Sequence, residues 1–152
     1  ASGLVGSLEV PEAAQRSLIG GSGLGAWLFL HRSRPDVEPL SPENTLWILN
    51  GPLAGTGFPG SSRFTVCARS PLTGLWGEAA VGGNFGPVLR QAGWDGIELA
   101  GAAPAPAILV IDGEKAELRD GSAGAPKRKR LRRVRATIIR LEPAMRAAAS
   151  MG

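Results

Sequence analysis

The residues with the strongest claim to chemistry in this chain are glycines. Val81–Gly86 (VGGNFG) places three of them in six positions, directly before a predicted helix. Backbone amides can close on an anion only where no Cβ intervenes and φ is free to turn positive. A helix start adds unpaired N–H groups and a dipole that favours phosphate. Arg63 follows Gly60–Ser62 and stands one residue before a predicted strand, where it can add a charge-assisted bond to the same ligand. The same glycines also suit plain corner-turning, and composition alone leaves both readings open.

Other candidates are weaker. Gly21–Ala26 (GSGLGA) matches the dinucleotide-binding pattern G-x-G-x-x-A. That pattern needs a strand in front of it, whereas here a predicted helix precedes it, so helix punctuation is the expected role. His31 has no Cys, Asp or second His at ligand spacing and reads as a polar residue at a helix end. Cys67 shares a predicted strand face with Arg69, which would lower its pKa; a structural thiol is the stronger expectation. No nucleophile–base pair is visible, so no catalytic residue is assigned. One cysteine excludes an intrachain disulfide and any four-thiolate zinc or iron–sulfur site built from this chain alone.

The elements that must position these residues follow from periodicity. Helices are predicted over Pro11–Ile19, Leu24–Arg32 and Phe85–Ala92. Proline in the first turn and glycine after the last mark the first of them. Leu46–Leu49 is an apolar run of strand length. Phe64–Arg69 alternates, with Phe64, Val66 and Ala68 on one face and Thr65, Cys67 and Arg69 on the other. Ile97–Ala100, Ala107–Ile111 and Ala116–Arg119 complete the strands, the last two joined across Asp112-Gly113 as a hairpin. Gly51–Ser62 and Ser70–Asn84 are predicted loops. Helices and strands mix without a strict βαβ alternation, so the class is α+β.

Composition bounds the rest. The 152 residues suffice for one domain, or part of a larger protein, and an apolar content of 43% excludes a disordered chain. No apolar run approaches the ~18 residues that cross a bilayer. ASGLVGSLEV has no basic region before an apolar stretch, so no signal peptide is expected and the cytoplasm is the expected compartment. The absent initiator Met suggests a start further upstream. Residues 1–121 carry 8 basic and 12 acidic side chains, and residues 122–152 carry 9 basic and 1 acidic. The body is therefore mildly acidic, and the strongly basic pI belongs to the tail.

At the loops the sequence resembles the N-terminal domain of the aldehyde ferredoxin oxidoreductases, the tungsten- or molybdenum-pterin enzymes. The resemblance rests on Leu40–Asn44 (LSPEN), Gly51–Thr56 (GPLAGT), Arg63-Phe64, Ser70–Gly74 (SPLTG), Gly82–Gly86 (GGNFG) and Ala92–Asp95 (AGWD). Gly20–Gly25 (GGSGLG) is similar to the family's upstream GGRGLG. The match runs from about Leu8 to Asp120, with its motifs in order.

The resemblance implies two β-sheets with packed helices, forming the base of a tungsten- or molybdenum-bis-pterin cofactor. It implies that Arg63 lies between the pterin and a [4Fe–4S] cluster. It also implies that Ala80, Val81, Gly82 and Gly83 correspond to an N-S-G-G loop that binds the cofactor. The backbone carbonyl at Ala80 would ligate the magnesium ion bridging the pterin phosphates. Alanine in place of asparagine keeps that carbonyl and loses an amide side chain. The family reaction is two-electron oxidation of an aldehyde to an acid, with electrons passing through the cluster to ferredoxin. Some relatives act on other substrates. The cluster cysteines and acid–base residues belong to later domains, so ferredoxin and the enzyme's own C-terminal domains are the implied partners. A homodimer is left open, and no membrane partner is expected.

Residues 1–121 are thus read as this domain, its first strands lying in part upstream, and 122–152 as a separate basic segment. Pro126–Arg135 suits an electrostatic nucleic-acid arm or a nuclear import signal. No aromatic follows Trp94 to stack on bases, so nucleic acid is the lesser expectation. The family continues here with a Trp-Gly segment that a shifted reading frame over about Ala123–Leu141 would restore. That reading predicts a poorly packed segment, because a net charge of +8 over residues 122–152 self-repels and gains little from burial. The rival functions are a small basic nucleic-acid-binding protein and an inactive pseudogene fragment.

Overall fold

The computed structural model describes residues 5–103, 105–113, 115–121 and 134–139. Strand β1 (Val5–Leu8) leads to helices α1 (Glu12–Leu18) and α2 (Gly21–Arg32). Strands β2 (Leu46–Asn50), β3 (Phe64–Arg69) and β4 (Trp76–Val81) follow, then helix α3 (Phe85–Gln91). Strands β5 (Gly96–Gly101), β6 (Ala107–Asp112), β7 (Lys115–Asp120) and β8 (Val134–Ile139) close the order. Six strands form one sheet in the order β1-β8-β5-β2-β3-β4, and β6 and β7 pair as a second sheet. Every described pairing is antiparallel except β1 with β8. The class is α+β with two sheets and packed helices, as expected.

Alternation assigns the two faces of the large sheet. Trp47, Leu49, Cys67 and Ile139 pack with Leu24 and Leu28 of α2 and Ala14 of α1. Ile48, Ile97 and Leu99 face the other way, where Leu89 of α3, Trp94 and the β6–β7 hairpin cover them. The predicted split of β3 holds: Cys67 lies in the α2 cluster, while the Phe64 ring sits 5.0 Å from that of Phe85 in α3. Trp94 also donates its indole N–H to the Gly113 carbonyl at 2.7 Å, fixing the hairpin turn to this layer.

Two glycines permit the close packing on the α2 side. A Cβ at Gly25 would stand 2.7 Å from Cys67 Sγ and 3.0 Å from the Trp76 ring, so only a bare Cα lets α2 lie this close to β3 and β4. Gly20 turns the corner between α1 and α2 at φ +117°, and a Cβ there would meet the Asn50 carbonyl at 2.8 Å. The residue that closes α1 is Ile19, at φ 61°, its amide bonded to the Gln15 carbonyl at 3.0 Å. Helix α2 starts at Gly21, earlier than predicted, so Gly23 and Gly25 lie inside the helix and do not punctuate it. Helix α1, not a strand, precedes this stretch, as the rejection of a dinucleotide fold required.

Two strands escaped the sequence reading, and a third falls in the basic segment. The loop expected over 70–84 contains β4, an edge strand whose residues from Glu78 onward are exposed. A strand with four exposed residues in a row shows no alternation to read. The short β1 also went unrecognised. Strand β8 occupies six residues of the basic segment and lies between β1 and β5. Val134–Ile139 (VRATII) is mostly β-branched, which suits a strand, and most of the segment's charge precedes it. Residues 122–133 and 140–152, with most of the proposed nucleic-acid arm and frame shift, lie outside the described residues. Among the described residues no helix is long and apolar enough to cross a membrane.

Candidate functional site

One end of the large sheet gathers the chemistry. Strand β2 ends at Asn50, opposite the start of β3 at Phe64, which pairs with the end of β4 at Val81. At the same end Gly96 opens β5 opposite Ile139, the last residue of β8. The loops 51–63, 82–84 and 92–95 therefore emerge side by side. The β3–β4 register continued by one step sets Arg63 across from Gly82. Pairing, not sequence proximity, brings these predicted residues together.

Ala80 and Val81 are the last residues of β4 and not loop residues, which corrects the loop assignment. Ala80 pairs with Thr65, while Gly82 and Gly83 project beyond the sheet and are exposed. Gly83 has φ +101°, which a glycine accommodates without strain. Gly82 differs: its φ is not positive, and a Cβ there would meet nothing within 4 Å. The same holds for Gly51 in the neighbouring loop. Nothing among the described residues demands a bare Cα at either position. Space is left on the outside, where a ligand would approach the backbone. Arg63 is exposed beside it.

The first turn of α2 reaches the same end. A Cβ on Gly21 would lie 3.6 Å from Thr65 Oγ1 and 3.9 Å from the Gly51 Cα. No side chain caps this helix start, while Ser22 donates its hydroxyl to Glu78. The GGSGLG stretch is thus near the site although it is no dinucleotide fingerprint.

Behind the loops lies a polar layer that sequence reasoning missed. Asn50 is 2% exposed and donates its amide to the Gly86 carbonyl at 3.0 Å. Its backbone N–H bonds to the Asp95 carbonyl, and the Asp95 N–H to Ile139, each at 2.9 Å. Arg90 forms an ion pair with the fully buried Asp95 carboxylate and donates from Nη2 to the Gly51 carbonyl at 3.1 Å. Asn50 Oδ1 and Arg90 Nε are buried without a hydrogen-bond partner. The only sequence signal for this layer was the AGWD motif, and no periodicity marks Asn50 or Arg90 as polar contacts of the core.

His31 accepts its role at a helix end, its Nδ1 lying 2.8 Å from the Trp27 carbonyl and its ring stacked on Trp27 at 4.2 Å. Cys67 is 1% exposed. Burial pushes its thiol from an ordinary 9.0 up to about 12, with the Glu78 charge adding to the shift. Lowering by Arg69 is therefore not what the fold produces, and the structural reading stands. Because the folded state favours the neutral thiol, its contribution to stability is complete below about pH 9 and is lost as pH rises through about 12. Denaturation midpoints followed over that window should fall with a slope that Cys67→Ala flattens. In the native chain below pH 9 the thiol should also resist a disulfide reagent until urea exposes it.

An apolar cavity of about 280 Å³ lies between α3 and the hairpin, lined by residues such as Ile48, Val88, Leu99 and Ile111. Its lining offers no charge for an anionic ligand, so the chemistry belongs to the loops. Among the described residues no group of three or more His, Cys, Asp or Glu is placed to hold a metal. The loops instead present exposed backbone at Gly82 and Gly83 and the exposed Arg63 guanidinium, with the buried Asn50 layer behind them.

The chain is similar to proteins of one family. The family model for the aldehyde ferredoxin oxidoreductase N-terminal domain matches residues 2–145. The tungsten-containing aldehyde ferredoxin oxidoreductase of Pyrococcus furiosus is 43% identical over 114 residues, covering 75% of this chain and 19% of the relative. Its counterpart in Pyrococcus abyssi is 42% identical over 111 residues, covering 73% and 18%. The aliphatic sulfonate oxidoreductase WOR-like subunit of P. furiosus is 35% identical over 121 residues, covering 78% and 19%. Among solved structures, the BamBC active-site complex of benzoyl coenzyme A reductase, bound to 1,5-dienoyl-CoA, superposes with a TM-score of 0.74. The two are 33% identical, over 78% of this chain and 19% of that one. The chain spans about a fifth of the length of the relatives it matches.

Proposed function

We propose, from the premise that this chain belongs to the aldehyde ferredoxin oxidoreductase family as its N-terminal domain, that it seats a tungsten- or molybdenum-bis-pterin cofactor at the loop end of its large sheet. The observation that carries the reading is the pair Gly51 and Gly82. Two neighbouring loops each keep a glycine that neither backbone strain nor described packing requires. Such positions serve close approach of a ligand to the main chain.

In this reading Arg63 donates charge-assisted hydrogen bonds to the cofactor, and Gly82 and Gly83 expose their backbone to its phosphates. The Ala80 carbonyl, held at the end of β4, is the proposed ligand of a magnesium ion. A side chain is not needed for that role, which is why alanine is tolerated where the family motif has asparagine. When bound, the metal–pterin group supplies two-electron oxidation of an aldehyde, or a related substrate, to an acid. Electrons would leave through a [4Fe–4S] cluster to ferredoxin. The cluster's thiolates come from other parts of the enzyme, since Cys67 is this chain's single cysteine and is buried under α2.

The test is cofactor content of the complete gene product, purified from a host that makes tungsto- and molybdopterin. Pterin and metal in stoichiometric amount are expected, and their absence overturns the reading. Arg63→Ala removes a charged hydrogen-bond donor worth about 1.5–3 kcal/mol, so cofactor affinity should fall by about tenfold or more. Gly82→Val should lower it comparably while the urea midpoint stays unchanged, because its side chain enters open space.

A further inference from the structure

We propose that Arg90 is the positioning residue that sets the spacing between the two candidate cofactor loops; the assignment rests on the cofactor reading above. Helix α3 leaves directly from the glycine loop 82–84 and presents Gly86 and Arg90, one turn apart, to the interior. The Gly86 carbonyl is held by Asn50, at the end of β2. One turn later the Arg90 guanidinium faces two other segments together. Nη1 pairs with Asp95 before β5, and Nη2 donates to the carbonyl of Gly51, the first residue of the loop that ends at Arg63. The Arg90 stem adds a packing contact, since a Cβ on Gly55 would lie 3.3 Å from its Cγ. One side chain thus ties loop 51–63, the helix anchoring loop 82–84 and the 92–95 turn.

Two features separate this role from direct ligand binding. The Arg90 side chain is only 16% exposed, and its charge is already matched by a carboxylate with no exposure. The geometry also selects arginine over lysine. A planar guanidinium reaches two acceptors in fixed directions, whereas an ammonium on a flexible stem holds one well and the other poorly.

Amide hydrogen exchange of the full 152-residue chain tests the clamp without any cofactor. Arg90→Met is expected to speed exchange of residues 51–63 by about tenfold more than that of amides in the α2 core, whose common acceleration reports the cost of the stranded Asp95 carboxylate. Arg90→Lys, which keeps the charge, should recover part of that protection. Unchanged exchange over 51–63 in Arg90→Met overturns the proposal. So does an equal acceleration in α2, which would mark general destabilisation, and so does full recovery by lysine, which would remove the need for a fork. Pterin content of the complete gene product carrying Arg90→Lys then reads the link to the cofactor. A drop of about tenfold against an unchanged urea midpoint supports it, and unchanged content overturns the positioning role. If the wild-type product carries no pterin, the cofactor reading fails and the positioning role with it, whatever the exchange result says about the clamp.

Discussion

Trp47→Ala is expected to lower the stability of the domain by about 3–5 kcal/mol, the usual loss for a large aromatic removed from a packed core. Trp47 is completely buried in β2. Its ring meets Phe29 of α2 edge-on at 6.4 Å, and its indole donates to Glu98 Oε2 at 2.9 Å. Glu98 is itself buried and is also gripped by Arg32, through bonds of 2.9 and 3.1 Å. Truncation therefore opens a cavity between sheet and helix and removes one of the donors that make a buried carboxylate tolerable. Against a typical total of about 5–15 kcal/mol, most of the margin disappears. Urea denaturation followed by circular dichroism reads this directly. Trp47→Phe keeps most of the volume and loses the N–H, so it should cost only about 1–2 kcal/mol. A loss below about 1 kcal/mol for the alanine variant would show that α2 does not depend on this contact.

Asp95→Ala should cost a similar amount, about 3–5 kcal/mol, for a different reason. Asp95 is fully buried and pairs with Arg90, whose side chain is largely enclosed. Removing the carboxylate strands a guanidinium in a poor solvent environment, where the Gly51 carbonyl still accepts from Nη2. The distinguishing measurement is the double variant. Arg90→Met with Asp95→Ala removes both charges, so it should be clearly more stable than Asp95→Ala alone. If the double variant is instead the sum of two large losses, the pair is not coupled and the cost lies in packing. These stability effects concern the same layer that holds the loops, so a fold defect and a loop defect need the exchange pattern to be told apart.

The sequence was a good guide where burial has a period or a turn has a chemistry. Phe64–Arg69 alternates because one face meets α2 and the other α3, and the Asp112-Gly113 turn joins β6 to β7 as expected. It was a poor guide at the sheet's edge. Strand β4 exposes its last four residues, and β1 is four residues long, so neither carries a readable pattern. Gly77 and the neighbouring glycines made β4 resemble the loops around it.

The candidate site divides in the same way. Glycine loops, Arg63 and the ordered motifs were legible because a residue without Cβ and a cation announce their chemistry by type alone. What residue type could not announce was proximity. Arg63 and Gly82 are 19 positions apart in the sequence and come to the same end of the sheet because the adjoining residues Phe64 and Val81 pair across β3–β4. Asn50 and Arg90 were invisible for a related reason, and Asp95 was marked only as the end of the AGWD motif. Each is a polar residue of ordinary type that becomes buried only when β2, α3 and β5 converge, and such burial depends on contacts between distant segments. By itself the sequence determined the α+β class, the glycine-rich loop after β2 and the family. The tertiary structure decided which loops share an end of the sheet and which polar residues hold them there, because strand pairing and burial are properties of the assembled chain.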